Sequence, residues 1–201
     1  IKPKAKAEIE DMAKKDLIEK VHADHPTEWC HPFCPREKPN GGIRPTVDMR
    51  GLNQWVKRAA YPLTTPHEAV YSTTPGAQWF SLLDAKNGYH QIMLDEASRD
   101  YTAFMTPWGR YRFKRAPQGC KLSGDKYVHE TDVVFGDIQD TAKVVDDIAP
   151  CTVTFPEQVE RVVEVLMRSR EHGITMSPNK FIFAEPEIKF VGYIIGRDGI
   201  K

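Results

Sequence analysis

The sequence predicts an α+β fold, a mostly antiparallel sheet with helices packed on it, and three stretches carry that expectation. Residues 101–117, "YTAFMTPWGRYRFKRAP", hold two strand-like runs about a Pro-Trp-Gly turn, the pattern of a hairpin. Residues 141–153 hold two short apolar arms that meet at Asp146 and Asp147, a second hairpin. Residues 156–172 are the clearest helix. Pro156 sits in its first turn, where a missing N–H is harmless. Val159, Val162, Val163, Leu166 and Met167 recur three and four apart, and Gly173 stops the run.

The other elements follow in chain order. Ile9, Met12, Ala13, Leu17 and Ile18 share one helical face, which predicts an amphipathic helix over 5–20. Pro26, Pro32, Pro35 and Pro39 exclude a long helix next, so extended strand and loop is expected. "IRPTVDMRGLN" (43–53) reads as a strand ending in a turn. Trp79 to Leu83 is a buried strand that ends in Asp84, after which Lys86, Asn87 and Gly88 break the apolar run. Leu122, Tyr127, Val128, Thr131, Val134 and Phe135 predict a helix over 121–135. "KFIFAE" and "IKFVGYII" read as two further strands.

The 201 residues suit one large domain or two subdomains, and 40% hydrophobic with 28% charged residues is ordinary for a globular chain. No apolar run approaches about 18 residues, so no membrane partner is expected. The chain starts at Ile1 and ends at "GRDGIK", which reads as a segment of something longer. Lys+Arg (28) balances Asp+Glu (28), so global charge does not announce a nucleic-acid binder. Local charge is more telling: "REKPNGGIR" (36–44) and "GRYRFKR" (109–115) are basic, with Arg50, Lys57 and Arg58 between them. Four cysteines do not resemble a secreted disulfide framework, so a reducing compartment is expected. In "HADHPTEWCHPFC" Cys30 and Cys34 fall within zinc spacing, but the usual His pair follows the cysteines at greater separation, whereas here three His and two Cys crowd into 13 positions with two prolines; the stretch reads as a strand with incidental thiols, a zinc site being the alternative.

The aspartate pair poses the chemical question. Adjacent carboxylates repel, and strands disfavour Asp. Either the turn exposes Asp146 and Asp147 to water, or a cation offsets them. Asp84 ends an apolar strand in a comparable position. If the two strands are neighbours in one sheet, three acids converge, and hard oxygen ligands select Mg²⁺ or Mn²⁺ over zinc. Two such ions, about 3.5–4 Å apart, make the clamp used in nucleotidyl transfer. An acid hydrolase needs two carboxyls across a cleft, not two consecutive residues at a tip.

Seven blocks in order give this chemistry a family. They are "KPNGGIRPTVDMRGLN", "YPLTTPHEAV", "WFSLLDAKNGYHQIMLD", "TAFMTPWGRYRFKRAPQG", "VVDDI", "HGITMSPNKFIF" and "IKFVGYIIGRDGI". The chain resembles, over nearly all its length, the reverse transcriptase of long-terminal-repeat retrotransposons of the Ty3/gypsy type. The resemblance implies a polymerase palm-type antiparallel sheet backed by helices, with an N-terminal fingers subdomain. It implies fingers over 1–76 with a leading helix, a palm over 77–186 with fingers residues 101–117 inserted, and a primer-grip hairpin and the start of a thumb over 187–201. It implies two Mg²⁺ ions, for which Mn²⁺ can substitute, held by Asp84, Asp146 and Asp147 with help from the Ala85 carbonyl. Arg36, Lys38 and Arg44 match the residues that hold the incoming triphosphate. Tyr89 matches the aromatic gate against a ribose 2′-hydroxyl, and Gln118 a residue that touches the sugar. Phe190, Val191, Gly192 and Tyr193 match the primer grip.

The implied activity is RNA-directed DNA polymerisation, with an RNA or DNA template, its primer and a dNTP as partners. The remaining Pol polyprotein, with thumb and RNase H, is a further implied partner. The implied setting is a cytoplasmic virus-like particle, with the nucleus as the alternative. The chain departs from the family pattern at Val144, where the family has Tyr, at Pro150, and at Asp125 and Lys126, which replace a proline and an apolar residue. A proline inside that arm implies an edge strand or a bend. The alternative reading is a nucleic-acid-binding module that keeps the fold and its basic stripe without the chemistry.

Overall fold

The computed structural model describes residues 2–39, 41–57 and 61–201; Arg58, among the basic residues noted above, lies outside them. The elements run α1 (Lys2–Lys14), β1 (Ile18–Lys20), β2 (His31–Pro32), β3 (Arg36–Glu37), β4 (Ile43–Arg44), α2 (Arg50–Trp55), α3 (Pro66–Tyr71), β5 (Trp79–Asp84) and α4 (Glu96–Arg99). They continue with β6 (Phe104–Thr106), β7 (Gly109–Phe113), α5 (Lys121–Phe135), β8 (Thr141–Val144), β9 (Asp147–Thr152) and α6 (Phe155–Glu171). The last four are β10 (Ile182–Glu185), β11 (Glu187–Phe190), β12 (Tyr193–Gly196) and β13 (Gly199–Ile200). Two compact units result: Ile1–Ala59 with Tyr89–Asp125, and Ala60–Gly88 with Lys126–Lys201. No helix among the described residues is long and apolar enough to cross a membrane.

The first unit is built on a four-stranded sheet in the order β1-β7-β6-β2. The hairpin β6–β7 pairs Thr106 with Gly109 across Pro107 and Trp108, the turn expected from the sequence. Ile9 and Met12 of α1 pack with Ile18, Val47, Met49, Phe104 and Phe113 as the core. The helix ends earlier than its periodicity predicts. Asp16 takes a left-handed φ of 57°, and Leu17 N–H closes the turn on Met12 O. Ile18 thereby leaves the helix and pairs with Phe113, so it is buried in the sheet instead of on the helix face. Pairing gained across 95 positions outweighs one more helical turn, because helix propensity alone is a weak preference. Residues 43–53 also depart from expectation: only Ile43–Arg44 is a strand, and α2 follows. Asn53 holds that short helix in place, donating to Gly119 O and accepting from Lys121 N–H.

The second unit carries a four-stranded sheet in the order β10-β5-β9-β8 and a three-stranded one, β11-β12-β13. Its longest helix, α6, starts with a reciprocal cap between Thr154 and Glu157, with a proline in the first turn, and ends before Gly173 at φ 69°. Val162 and Val165 are buried, each worth roughly 1.5–2 kcal/mol. Val165 joins Leu83, Val134, Phe135, Ile138 and Ile148 in one cluster.

At Pro150 the structure removes one of the two expected alternatives, the edge strand. Its strand β9 is not an edge but lies between β5 and β8. The β5–β9 ladder pairs Phe80 with Cys151 and Leu83 with Ile148, and leaves a gap where Ala149 and Pro150 stand. Gln158 of α6, wholly buried, fills that gap with its side chain. Its amide donates to Pro150 O (3.0 Å) and Ser81 Oγ (2.7 Å), and its carbonyl accepts from Thr152 Oγ1 (2.7 Å). Ser81 Oγ also accepts from Ala184 N–H of β10. A proline is tolerated inside the sheet because a helix side chain supplies the bonds the ladder lacks.

Candidate active site

The three predicted carboxylates meet at one end of the β10-β5-β9-β8 sheet. Asp84 is the last residue of β5 and stands directly opposite Asp147, the first residue of β9. Asp146 lies in the two-residue turn between Val144 and Asp147, which are themselves a cross-strand pair. Ala85 N–H donates to Asp146 O, tying the end of β5 to that turn (3.0 Å). The first turn residue is Val145, at φ 51°. Hairpins of this kind ordinarily put glycine where φ is positive, and a β-branched residue there stores strain of about 1–3 kcal/mol. The flanking pairs of β8 and β9 impose that conformation, and it presents two consecutive aspartates at the tip.

Two residues missed by the sequence reading shape the ground beneath Asp146. Tyr127 of α5 hydrogen-bonds its carboxyl. Gly88 lies so close that a Cβ there would come within 2.6 Å of Asp146 Oδ1 and 2.7 Å of the Tyr127 ring. Any larger residue would have to push the Asp146 carboxyl or the Tyr127 ring aside, and the signal in the sequence was the Gly in "KNGYHQ", read there merely as the end of a strand. Asp146 Oδ1 is buried without a hydrogen-bond partner among the described residues. Such an atom is costly, about 1–3 kcal/mol, unless something else binds it.

A third missed residue is Lys180, whose ammonium donates to Asp84 Oδ2 at 2.8 Å. It follows a turn whose backbone is tied to β5: Ser177 N–H donates to Asp84 O and Lys86 N–H to Thr175 O. Burial, then the charges of Asp84 and Asp147, push the Asp146 carboxyl above its ordinary value against the pull of Lys180 and Tyr127. Burial and the Asp84 charge do the same to Asp147. Lys180 in turn is held above its usual range, foremost by its bond to Asp84. Among the described residues, no three His, Cys, Asp or Glu side chains stand placed to hold one ion. The trio shares a strand end, yet one of its oxygens is committed to a lysine.

The predicted nucleotide-binding residues lie in the first unit. Arg36 and Arg44 are direct cross-strand partners in the β3–β4 hairpin. A loop closed by Lys38 N–H on Gly42 O connects the strands. Arg36, Lys38, Arg44 and Gln118 line one cavity of about 450 Å³, with Glu37, Pro39, Pro45, Thr46 and Gly119. Among the described residues neither Arg36 nor Arg44 makes an ion pair, though like charges opposite each other in a hairpin repel. Such a pair of guanidiniums is suited to an anion of high charge. Tyr89, in a 3₁₀ turn of the same unit, is half-buried and does not line that cavity.

The hairpin β11–β12 turns through Val191 (φ 44°) and Gly192 (φ 98°), between the paired Phe190 and Tyr193. Phe190 is wholly buried in the core with Ile188 and Ile195, so its ring anchors the hairpin and has no surface to offer a primer. Val191 and Tyr193 are partly exposed and Gly192 is exposed.

Known proteins share this fold. The foamy viral protease-reverse transcriptase in complex with dsDNA superposes with a TM-score of 0.90 at 24% identity, over 100% of this chain and 41% of that one. The same kind of protein in complex with an RNA/DNA hybrid gives 0.87 at 23%, over 99% and 26%. These likenesses show the fold: a palm-type antiparallel sheet with helices and fingers. A Pol polyprotein of transposon 412 from Drosophila melanogaster is 27% identical over 96% of this chain, which spans 16% of that protein's length. The Tf2-7 transposon polyprotein of Schizosaccharomyces pombe is 27% identical over 83% of the chain, which spans 12% of it. Both relatives are of the Ty3/gypsy type. The model of the family described as reverse transcriptase (RNA-dependent DNA polymerase) matches residues 36–195, from the arginine of the cavity to the strand after the Val191–Gly192 turn. On that match the chain belongs to the reverse transcriptase family.

Proposed function

We propose that the chain is the fingers and palm of an RNA-directed DNA polymerase, which joins a deoxynucleotide to a primer 3′-hydroxyl. The observation that carries this reading is the pairing of Asp84 with Asp147 across β5 and β9, with Asp146 in the adjoining turn. The family is divalent-metal dependent. Asp84, Asp146 and Asp147, with the Ala85 carbonyl, suit Mg²⁺ or Mn²⁺. All their donors are hard oxygens, and the buried orphan Asp146 Oδ1 gains a partner when a cation binds. Bound ions would supply activation of the primer hydroxyl and neutralisation of the leaving pyrophosphate.

The protein's own residues hold and orient the reactants. Arg36, Lys38 and Arg44 bind the triphosphate oxygens through charge-assisted hydrogen bonds, and Gln118 contacts the sugar. The Tyr89 ring excludes a ribose 2′-hydroxyl. Val191, Gly192 and Tyr193 contact the primer end, on a hairpin anchored by Phe190. The template–primer and the dNTP are the substrates, and the thumb and RNase H of a Pol polyprotein are the partners in a cytoplasmic particle.

Single-nucleotide primer extension on an RNA template, in Mg²⁺ and then Mn²⁺, tests this reading. Incorporation by the chain, lost in the Asp146→Asn/Asp147→Asn variant, is expected. Template–primer binding without incorporation, unchanged when a thumb is added, would replace polymerisation with the binding-module reading.

A further inference from the structure

The acids of this site do not wait uncompensated. We infer that Lys180 is a resident counter-ion of Asp84 that an incoming divalent cation must displace, and that it thereby sets how tightly the site takes its metal. The inference rests on the metal-binding reading above and goes beyond it, by giving a role to a residue outside the ligand set.

Three observations carry it. The first is the contact itself: Lys180 Nζ lies 2.8 Å from Asp84 Oδ2. The Asp84 side chain is only 15% exposed and the Lys180 side chain 65% exposed. An ammonium in water on a four-carbon stem leaves its partner at little cost, and a carboxylate fixed at a strand end stays behind. The second is the tether. The segment that carries Lys180 is zipped to the end of β5 through Ser177 N–H on Asp84 O, Lys86 N–H on Thr175 O, and the bridge between Ala85 and Met176. The side chain can therefore swing out while its Cα stays within reach, so the exchange is local and reversible. The third is that the three acids, although neighbours, are not focused on a common point. With one Asp84 oxygen committed to Lys180, the ligand set is complete only once that bond is released.

Among the described residues, Lys180 supplies a cation that pairs with the trio. Lys143, three residues before Asp146 on β8, has a side chain only 9% exposed and is spent on Asp132 (2.6 Å) and Thr131 (2.9 Å). Lys180 is thus the cation whose ion pair bears on the trio. The exchange makes and breaks no covalent bond: one charge leaves Asp84 and a doubly charged ion takes its place, with Lys180 released to solvent.

The test is a Mn²⁺ titration of the folded chain, with free Mn²⁺ read by electron paramagnetic resonance. It compares the unmodified chain with Lys180→Met, Lys180→Gln, Lys180→Arg and Asp84→Asn, each checked by its thermal melt. Lys180→Met and Lys180→Gln should bind Mn²⁺ about five- to tenfold more tightly, since a half-exposed charge-assisted pair need no longer be broken. Lys180→Arg should stay near the unmodified affinity, and Asp84→Asn should bind weakly. Equal or weaker binding in both neutral variants, with binding still lost in Asp84→Asn, overturns the role of Lys180 and leaves the metal site standing. No binding in any of the proteins overturns both.

Discussion

Residues 109–115 and residues 36–44 are the two most basic stretches of the first unit, and both form antiparallel hairpin strands. They use their charge in opposite ways. On β7, Arg112 is gripped by Glu19 (2.7 Å), Asp100 (2.8 Å) and Glu96, with its side chain 15% exposed. Lys114 pairs with Asp16, and Arg110 bonds the carbonyls of His22 and His25 and the Thr27 hydroxyl. The β3–β4 hairpin places Arg36 opposite Arg44 and gives neither an ion pair among the described residues. Counting basic residues made the two stretches look equivalent; partner geometry separates them. The β7 cations hold the fold together, so the basic stripe imagined for nucleic acid is largely spent inside the protein. The hairpin leaves its cations for something else.

The largest test of that contrast is Arg112→Ala. It strands Glu19, Glu96 and Asp100 around a lost cation and should cost about 2–3 kcal/mol in urea unfolding, somewhat below the cost of breaking a fully buried pair. Nucleotide affinity measured on the folded fraction should not move. If the variant instead keeps its stability and loses substrate binding, the two stretches have been assigned the wrong way round. Arg44→Ala should do the reverse. Charged hydrogen bonds are worth about 1.5–3 kcal/mol, so the KM for dNTP should rise roughly ten- to a hundredfold. Stability should stay within about 0.5 kcal/mol.

Acid sharpens the comparison further. Burial pushes the Asp100 carboxyl up, but His25 and Arg112 outweigh it and hold it below its ordinary 3.8. A depressed folded-state value means that Asp100 stabilises above about 3.8 and loses that contribution as pH falls through its folded value. The acid limb of unfolding should therefore move to higher pH in Arg112→Ala and stay put in Arg44→Ala, as followed by circular dichroism. The smallest effect belongs to Arg36→Ala. Relieving cross-strand repulsion should stabilise the free protein by a few tenths of a kcal/mol, most visibly at low salt. A loss of stability there would mean that the two arginines are already compensated.

Much of the fold was legible because it rests on local rules. The helix α5 covers residues 121–135, as its apolar spacing predicted, and α6 is bounded by its capping threonine, its early proline and Gly173. Both hairpins fall where turn residues separate apolar runs. The places where the reading failed share a cause. Ile18 left its helix for a partner at position 113, and Pro150 entered a sheet interior on bonds from Gln158. Neither partner is visible in the local pattern.

The aspartates divide along the same line. The sequence by itself determined that Asp84, Asp146 and Asp147 sit at strand ends, and that a cation or water had to offset the pair. Both follow from alternation, turn chemistry and charge within a few residues. Only the tertiary structure decided that β5 lies beside β9, which brings residues 84 and 147 face to face. It alone placed Gly88 and Tyr127 beneath Asp146 and brought Lys180 to Asp84 from 96 positions away. Local patterns encode the period and direction of side chains, while the identity of a neighbour across a sheet depends on which packing of the whole chain has the lowest free energy.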